Sequence, residues 1–166
     1  EIQEVSGRIE IDVRTATRHG ADPYHLPWHV ASAGAEAAAP ARVLPDVLRE
    51  EPGVVVQRTS SGQASPFLRN LTGSHTVLLI NGIRLNNSIW RAGPNEYWGT
   101  VDARSLDRLE TVFGPSSVLY GSDAGGGAVN AITLRRRPEG ASSWERRMYL
   151  RYSTAENSLV GRAQVA

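Results

Sequence analysis

Four of the chain's glycines fall within seven positions, from Gly121 to Gly127, in the stretch GPSSVLYGSDAGGGAVNAITL. A run this rich in glycine is either a cradle for phosphate or a sharp reversal of the chain. A phosphate loop needs a lysine after the glycines and a long helix behind it, and neither follows here. The helix signal in front of the glycines, opened by Pro115, is short. The sequence therefore predicts a compact turn, with Tyr120 packed beneath it and a strand that starts at Ala128.

Composition limits the class of protein. The 166 residues suit one domain with a small appendage, and a hydrophobic content of 40% is enough for a packed core. A net charge of +1 gives no global attraction to nucleic acid or to an acidic partner. The lack of cysteine excludes disulfides and thiolate chemistry, and it fits either the cytosol or a periplasmic protein built without bridges. No apolar run approaches the ~20 residues of a membrane helix.

The clearest local signal is Asn81-Gly82 between two apolar runs. This dipeptide predicts a two-residue type I′ turn that joins residues 77–80 to residues 83–86 in a hairpin. The other signals in the middle of the chain are weaker. They predict a helix at residues 41–53, a strand at 54–56, a polar loop at 59–65, and a helical turn capped by Asp102 that passes into a strand at 109–113. The alanine-rich residues 31–40 are expected to form a linker or a short helix.

Both ends of the chain show strand alternation. Residues 9–13 alternate apolar and charged side chains, which predicts a half-exposed strand. Near the C-terminus, WERRMYLRYS and SLVGRAQVA alternate in the same way around the turn TAEN. They predict a hairpin of two strands of about nine residues each, a length and pattern typical of outer-membrane barrel strands. The chain begins at Glu1 without a methionine or a signal peptide, which indicates a processed or truncated product.

Four stretches, taken together, resemble the plug domain of TonB-dependent outer-membrane receptors. They are IDVRTATR, LPDVLREEPGVVVQ, FLRNLTGSHTVLLINGIRLNN and SLDRLETVFGPSSVLYGSDAGGGAVNAITL. The resemblance implies an α+β fold, a small mixed β-sheet plug with short helices, followed by the first β-hairpin of a truncated transmembrane barrel. It places an N-terminal segment at residues 1–17, the plug at 18–138, and a connector with the first barrel hairpin at 139–166.

This chain departs from the family pattern at three points. Arg69-Asn70 stands where the family usually has Arg-Gly, Phe113 stands where it usually has arginine, and Gly125 stands where it usually has a bulky apolar residue. Phe113 puts in doubt one charge contact between plug and barrel, and Gly125 is expected to loosen the glycine-rich turn. A receptor barrel of this family has about 22 strands, so the chain is expected to be a fragment of a longer receptor or a free plug-like domain.

The function that the resemblance implies is the gating of energy-coupled uptake of a scarce ligand, such as a siderophore or cobalamin, at the outer membrane. The N-terminus would lie in the periplasm, where the C-terminal domain of TonB binds it, and the protein's own barrel would be the second partner. No catalytic constellation, cofactor or nucleic-acid site is expected. The alternative is a soluble periplasmic binding or adaptor module that has a plug-like fold without a barrel.

The resemblance also implies three sets of site residues. TonB binding is assigned to Ile11, Asp12, Val13, Arg14, Thr15, Ala16 and Thr17, with residues 1–6 as a second candidate segment. Ligand binding is assigned to Ser61, Gln63, Asn87, Trp90, Arg91, Asn95 and Tyr97. Contacts between plug and barrel are assigned to Arg69, Arg84, Arg108 and Glu110.

Each of these sets has a purely structural alternative. Residues 11–17 could be an ordinary edge strand, the aromatic residues could pack their loop against the plug, and the charged residues could form solvated faces. His25 and His29 have the spacing of a helical metal site, but Pro27 lies between them, so no metal site is expected. The arginines at 135–137 are expected to form a solvated connector.

Overall fold

The computed structural model describes residues 25–34, 41–60, 63–85, 96–134, 146–155 and 157–165. The chain divides into two compact units, Glu1–Leu134 and Arg135–Ala166. The strand predicted at residues 9–13 lies outside the described residues. The strands are β1 (His29–Gly34), β2 (Val54–Ser60), β3 (Gln63–Leu68), β4 (Thr76–Ile80), β5 (Ile83–Arg84), β6 (Leu106–Phe113), β7 (Gly127–Thr133), β8 (Arg146–Ser153) and β9 (Ser158–Val165).

Five strands of the first unit form one mixed sheet in the order β1-β6-β7-β4-β5. β4 and β7 run parallel, whereas the other neighbouring strands run antiparallel. The remaining strands pair as two hairpins, β2 with β3 and β8 with β9. The predicted α+β class with a small mixed sheet is therefore confirmed.

Helical structure in the described ranges is short. It comprises the 3₁₀ helices Leu44–Leu48, Gly73–His75, Glu96–Thr100 and Ala103–Ser105, and the one-turn α-helix α1 (Ser117–Tyr120). In these ranges no helix has the length and apolar content needed to cross a membrane. The helix predicted at residues 41–53 is thus a shorter 3₁₀ helix, and Pro52-Gly53 follows it closely. Its apolar residues Leu44, Val47 and Leu48 are buried.

The main core lies on one face of the five-stranded sheet. Leu78, Leu109 and Val129 are buried there in one cluster with Leu48 and Trp98. Burial of a side chain of this size stabilises the fold by roughly 1.5–3 kcal/mol. The 3₁₀ helices Leu44–Leu48, Glu96–Thr100 and Ala103–Ser105 and the β2–β3 hairpin are therefore held against this face by apolar packing.

The opposite face of the sheet is covered by the glycine-rich stretch. Val77, Leu79 and Ala128 on this face are buried together with Ala124, and Tyr120 packs against them. Tyr120 therefore lies beneath the reversal, as predicted. The sheet is thus enclosed by different segments of the chain on its two faces.

Two local predictions are wrong. Residues 31–34 belong to β1, which forms six register pairs with β6, and they form neither a linker nor a helix. Alanine, serine and glycine have low strand propensity, so tertiary pairing overrides it here. Most of the predicted loop at 59–65 is strand, because β2 extends to Ser60 and β3 starts at Gln63. Residues 59–65 are polar except for Gly62 and Ala64, so they give no apolar alternation that would predict a strand, although Ala64 and Ser65 are buried.

The second unit contains the predicted C-terminal hairpin. β8 and β9 pair in continuous register from Arg146↔Val165 to Ser153↔Ser158. Residues directly opposite in such a pair point to the same face. One face therefore carries apolar side chains that are 61–86% exposed, namely Met148, Leu150, Tyr152, Leu159 and Val165. The other face carries Tyr149, Arg151, Ser153, Ser158, Val160, Arg162 and Gln164.

Candidate functional site

The Asn81-Gly82 turn has the conformation that its sequence predicts. The φ angles of Asn81 and Gly82 are 51° and 81°, and Leu79 pairs with Arg84 across the turn. Two consecutive positive φ angles are the mark of a type I′ turn. The hairpin is confirmed over residues 78–85, since the Leu85 N–H also donates to the Leu78 carbonyl at 2.9 Å.

Side chains fasten this turn to β7. Asn81 Nδ2 donates to Thr133 Oγ1 at 2.8 Å, and the Thr133 N–H donates to Asn81 Oδ1 at 2.9 Å. The Gly82 N–H donates to Asn130 Oδ1 at 3.0 Å. The backbone N–H of Asn81 adds a bond to the Ala131 carbonyl at 2.9 Å. The turn is therefore fixed to the middle of the sheet, directly before the predicted ligand loop that starts near residue 86.

The glycine-rich stretch is a compact reversal between β6 and β7, as predicted. Its two arms are joined by bonds from the Gly114 N–H to the Gly126 carbonyl at 3.1 Å and from the Ser116 N–H to the Ala124 carbonyl at 2.8 Å. The Gly126 N–H donates to the His75 carbonyl at 2.7 Å. This amide is consequently already used within the fold. The first residue of α1 is Ser117, and Ser116 occupies the N-cap position. The prediction that Pro115 is the first helical residue is therefore wrong by two positions.

Close packing explains two of the glycines. A Cβ on Gly126 would lie 2.7 Å from Leu71 Cβ and 2.9 Å from the His75 carbonyl oxygen. Gly127 has a φ of 144°, and a Cβ there would lie 2.3 Å from the Val112 carbonyl oxygen. A Cβ on Gly125 would meet nothing within 4 Å, so the missing side chain there leaves no gap inside the fold.

Arg84 links the hairpin to the reversal. Its guanidinium forms an ion pair with Asp123 and donates to the Tyr120 carbonyl at 3.4 Å. Asp123 has a φ of 73°, a backbone conformation that favours glycine and that Asp tolerates better than most residues. Both carboxylate and guanidinium are about one-third exposed, so solvent weakens the pair. The sequence gives no signal for Asp123 as a partner, because 39 residues separate it from Arg84.

Arg108 and Glu110 form a second internal ion pair. Arg108 Nε donates to Glu110 Oε1 at 2.7 Å, and Arg108 Nη1 donates to Asp107 Oδ2 at 2.9 Å. Glu110 is fully buried in β6. Burial alone would lower the pKa of the Arg108 guanidinium, but hydrogen bonds to Glu110 and Asp107 and their negative charges raise it above its ordinary value. Arg108 therefore stays charged and neutralises the buried carboxylate.

Arg69 lies in a second tight turn. Leu68 and Leu71 exchange backbone hydrogen bonds of 2.8 and 2.9 Å, and the two residues between them, Arg69 and Asn70, have φ angles of 48° and 70°. The Arg69 guanidinium lies over the ring of Phe113, with Cζ 5.8 Å from the ring centroid. Phe113 thus contacts the cation of Arg69, whereas the family usually has an arginine at the position of Phe113 itself.

The predicted ligand-binding residues are only partly described. Gln63 is exposed at the start of β3, and Tyr97 is 52% exposed in the 3₁₀ helix Glu96–Thr100. Trp98, beside Tyr97, is fully buried in the main core, as its packing alternative predicts. The other predicted ligand residues, Ser61, Asn87, Trp90, Arg91 and Asn95, lie outside the described residues, as do the predicted TonB-binding residues 11–17.

A cavity in the described structure lies elsewhere. Its volume is about 930 Å³, and its lining includes Ser32 of β1 and the charged residues Asp46, Arg49 and Arg58. The Asp46 carboxylate is the centre of this cluster, since it binds both arginines and the backbone N–H of Arg42. These charges neutralise one another. Within the described ranges no three or more His, Asp or Glu side chains are grouped to hold a metal ion.

Comparison with known proteins identifies the relatives of this fold. The model of the family described as the TonB-dependent Receptor Plug Domain matches residues 29–128, more than half of the chain. Among solved structures, Pseudomonas aeruginosa FpvA bound to heterologous pyoverdines with iron has a TM-score of 0.67 at 19% identity, over 84% of this chain and 18% of that one. The copper transporter OprC has a TM-score of 0.66 at 20% identity, over 82% of this chain and 21% of that one.

A third similar structure has higher identity over a shorter range. The ferric enterobactin receptor PfeA of Pseudomonas aeruginosa, in complex with enterobactin, is 29% identical over 64% of this chain and 17% of that one, with a TM-score of 0.51. The chain therefore spans about a fifth of the length of each of these proteins. One of these proteins is described as a copper transporter, one as a ferric enterobactin receptor, and one as bound to pyoverdines.

Proposed function

This chain belongs to the family of TonB-dependent receptor plug domains, and from that membership we propose that it gates energy-coupled uptake of a scarce ligand at the outer membrane. The observation that carries the proposal is the order of two parts in one chain. A mixed sheet that matches the family over residues 29–128 is followed by the hairpin β8–β9, whose apolar face is exposed. In this proposal the N-terminus is periplasmic and the plug has no catalytic role.

The hairpin supports a barrel as the plug's own partner. Five large apolar side chains on one face of β8–β9 are mostly exposed, and an apolar stripe of this kind is unfavourable in water. Barrel strands in a membrane present such a stripe to lipid and a polar face to the lumen. The alternative, a soluble periplasmic binding or adaptor module, has no use for this stripe.

The coding sequence beyond residue 166 separates these two functions. Further strands of about ten residues with alternating apolar side chains support the receptor. A stop codon directly after residue 166 supports the soluble module.

For the ligand, we propose a scarce compound of the siderophore or cobalamin kind. The similar structures of receptors with iron siderophores, and of a copper transporter, support a metal-bearing ligand. Its contacts are assigned to Ser61, Gln63, Asn87, Trp90, Arg91, Asn95 and Tyr97. The exposed ring of Tyr97 and the exposed amide of Gln63 are suited to stacking and hydrogen bonding, respectively.

For energy coupling, we propose that residues 11–17 bind the C-terminal domain of TonB by adding a strand to its sheet. A proline-free segment in which apolar and polar side chains alternate is suited to this mode of binding. Residues 1–6 are the competing segment. The plug-to-barrel contacts in this proposal are made by Arg69, Arg84, Arg108 and Glu110.

Calorimetric titration of the chain with the TonB domain tests this proposal. Val13→Pro is expected to abolish binding, because proline removes a backbone donor and fixes φ. Val13→Ala, which keeps the donor, is the matched control and is expected to retain binding. Val5→Pro examines the competing segment. Loss of binding with Val5→Pro but not with Val13→Pro would transfer the site to residues 1–6, and no binding by the unmodified chain would contradict TonB coupling.

A further inference from the structure

The turn between β4 and β5 contains the only Asn-Gly dipeptide of the sequence, Asn81-Gly82. Asparagine is among the chemically labile side chains of proteins, because its amide can be lost by deamidation. Glycine in the next position favours this reaction, since it has no side chain to hinder attack by its backbone nitrogen. Both residues are exposed, so water reaches them. The dipeptide is therefore the point in the sequence where spontaneous deamidation meets the least local hindrance.

Deamidation here is a reaction between neighbouring groups of the chain. The Gly82 nitrogen loses its proton and forms a bond to Asn81 Cγ. The bond from Cγ to Nδ2 breaks, and Nδ2 leaves as ammonia with a proton, so that a succinimide ring remains. Water then opens the ring at Cγ, which gives aspartate, or at the backbone carbonyl carbon, which gives isoaspartate. Water is the only further reactant.

The folded chain holds both reacting groups in hydrogen bonds to β7. The Gly82 N–H donates to Asn130 Oδ1 at 3.0 Å. The Asn81 amide donates through Nδ2 to Thr133 Oγ1 at 2.8 Å and accepts the Thr133 N–H through Oδ1 at 2.9 Å. Ring closure requires the amide to turn away from Thr133 and the Gly82 nitrogen to give up its bonded proton. These bonds therefore oppose the reaction at both ends of the new bond.

This protection comes from distant segments of the chain. Asn130 is 48 residues from Gly82, and Thr133 is 52 residues from Asn81. Neither can alter the intrinsic reactivity of the dipeptide in an unfolded chain. Their effect exists only while the turn is fastened to β7. Reactions that need a local opening proceed at a rate set by the fraction of open molecules.

We propose that Asn81 is a deamidation site controlled by the fold, in which fastening of the turn to β7 suppresses the reaction and release of the turn permits it. The proposal is independent of the proposed function. Isoaspartate lengthens the main chain by one atom and so disturbs the register of Leu79 with Arg84. Aspartate lacks the Nδ2 donor to Thr133. A turn that has reacted therefore cannot re-form the same bonds, and the modification is a lasting mark of its release.

Mass spectrometry of the whole chain tests this protection. The folded chain and a synthetic peptide of residues 77–86, which lacks Asn130 and Thr133, are incubated at the same pH and temperature. Deamidation at Asn81 is followed by peptide mapping, and isoaspartate is identified by enzymatic methylation. We expect the folded chain to react at least about tenfold more slowly than the peptide. Equal rates in the two would overturn the proposal.

Three variants distinguish release of the turn from unfolding of the domain. Asn130→Ala frees the Gly82 N–H, and Thr133→Val removes the hydroxyl that holds the Asn81 amide. Each is expected to accelerate deamidation in the folded chain by at least about threefold. Gly126→Ala is the control, because it crowds the fold at Leu71 and leaves the bonds of the turn intact.

The rates of the variants are compared after their urea midpoints have been measured. At an equal or larger loss of stability, Gly126→Ala is expected to accelerate deamidation less than Asn130→Ala does. An equal acceleration by Gly126→Ala would assign the reaction to unfolding of the whole domain and overturn control by the turn. Rates that remain unchanged in both Asn130→Ala and Thr133→Val would likewise overturn it, because the bonds to β7 would then give no protection.

Discussion

Asn81 and Thr133 are 52 residues apart in the chain, yet hydrogen bonds between them hold the turn after β4 against the end of β7. Asn81 Oδ1 accepts the backbone N–H of Thr133, and Asn81 Nδ2 donates to the Thr133 hydroxyl. This pair joins the turn between β4 and β5 to the last residue of β7. One asparagine therefore has two functions, since it also adopts the positive φ that the type I′ turn requires.

Substitution of Asn81 can separate these two functions. Asn81→Gly keeps the positive φ and removes the side-chain bonds, so we expect a loss of about 1 kcal/mol in the free energy of unfolding, measured with urea. Asn81→Ala also strains the backbone and should cost more. Thr133→Val, which removes only the hydroxyl, is the control and should cost less than Asn81→Gly. Equal stability of Asn81→Gly and the unmodified chain would show that water replaces these bonds without loss.

Gly82 tests backbone strain without crowding. Its φ is 81°, and a Cβ there would meet nothing within 4 Å. Gly82→Val is expected to destabilise the domain by roughly 1–3 kcal/mol, because a β-branched residue is strained at this φ. Gly82→Asn should cost less, since Asn tolerates the left-handed region. If the two variants unfold at the same urea concentration, the turn has relaxed to another type.

Gly126 and its neighbour Gly125 test crowding. Gly126→Ala places a methyl group within 3 Å of both Leu71 and the His75 carbonyl, whereas Gly125→Ala enters open space. We expect Gly126→Ala to lower the thermal midpoint and to cost about 1–3 kcal/mol, with little effect from Gly125→Ala. Gly126→Val should be worse. Neither the unmodified chain nor any of these variants is expected to bind ATP or GTP. Micromolar nucleotide binding by the unmodified chain that is lost in Gly126→Val would restore the phosphate-loop interpretation.

The buried carboxylate of Glu110 makes Arg108 a strong determinant of stability. Arg108→Gln is expected to cost about 1–3 kcal/mol, because it removes a charged hydrogen bond to a fully buried group. Asp107→Asn, at a carboxylate that is 51% exposed, is the matched control and should cost at most about 1 kcal/mol. A larger loss for Asp107→Asn would assign the stability to the exposed bridge.

The pKa of Arg108 also predicts how this contribution depends on pH. A folded-state pKa raised above the unfolded value gives stability that is fully present below the unfolded pKa and is lost as the pH rises through the folded pKa. For arginine both values lie far above neutrality. The Arg108 charge itself should therefore add no slope to the unfolding free energy between about pH 5 and 9.

Local signals in the sequence predict the parts of this fold that depend on local geometry. The Asn81-Gly82 turn, the Asp102 cap, whose carboxylate accepts the Arg104 N–H at 2.9 Å, and the C-terminal hairpin are examples. β1 was not predictable in this way, because small residues become a strand only through their pairs with β6. Contacts between distant segments limit the prediction of the candidate site residues in the same way.

Arg69 and Arg84 are candidate site residues only through the family resemblance. The sequence does not show that Asp123 binds Arg84 or that His29 packs on Phe113, because these contacts join segments that are far apart in the chain. The need for glycine at position 126 likewise comes from Leu71 and His75. Such contacts follow from the packing of the sheet and not from any local pattern.

The position of β1 in the sheet has a mechanical consequence. Among the described strands, β1 is the first along the chain, and it pairs with β6 alone, through six residue pairs. β6, β7 and β4 each have a neighbour on both sides. A pulling force applied at the N-terminal end therefore acts first on a strand that is hydrogen-bonded along one edge only, and the sheet is expected to come apart from that edge inward. Detachment of β1 would expose the backbone of β6 beside the buried carboxylate of Glu110 and admit water to the sheet interior.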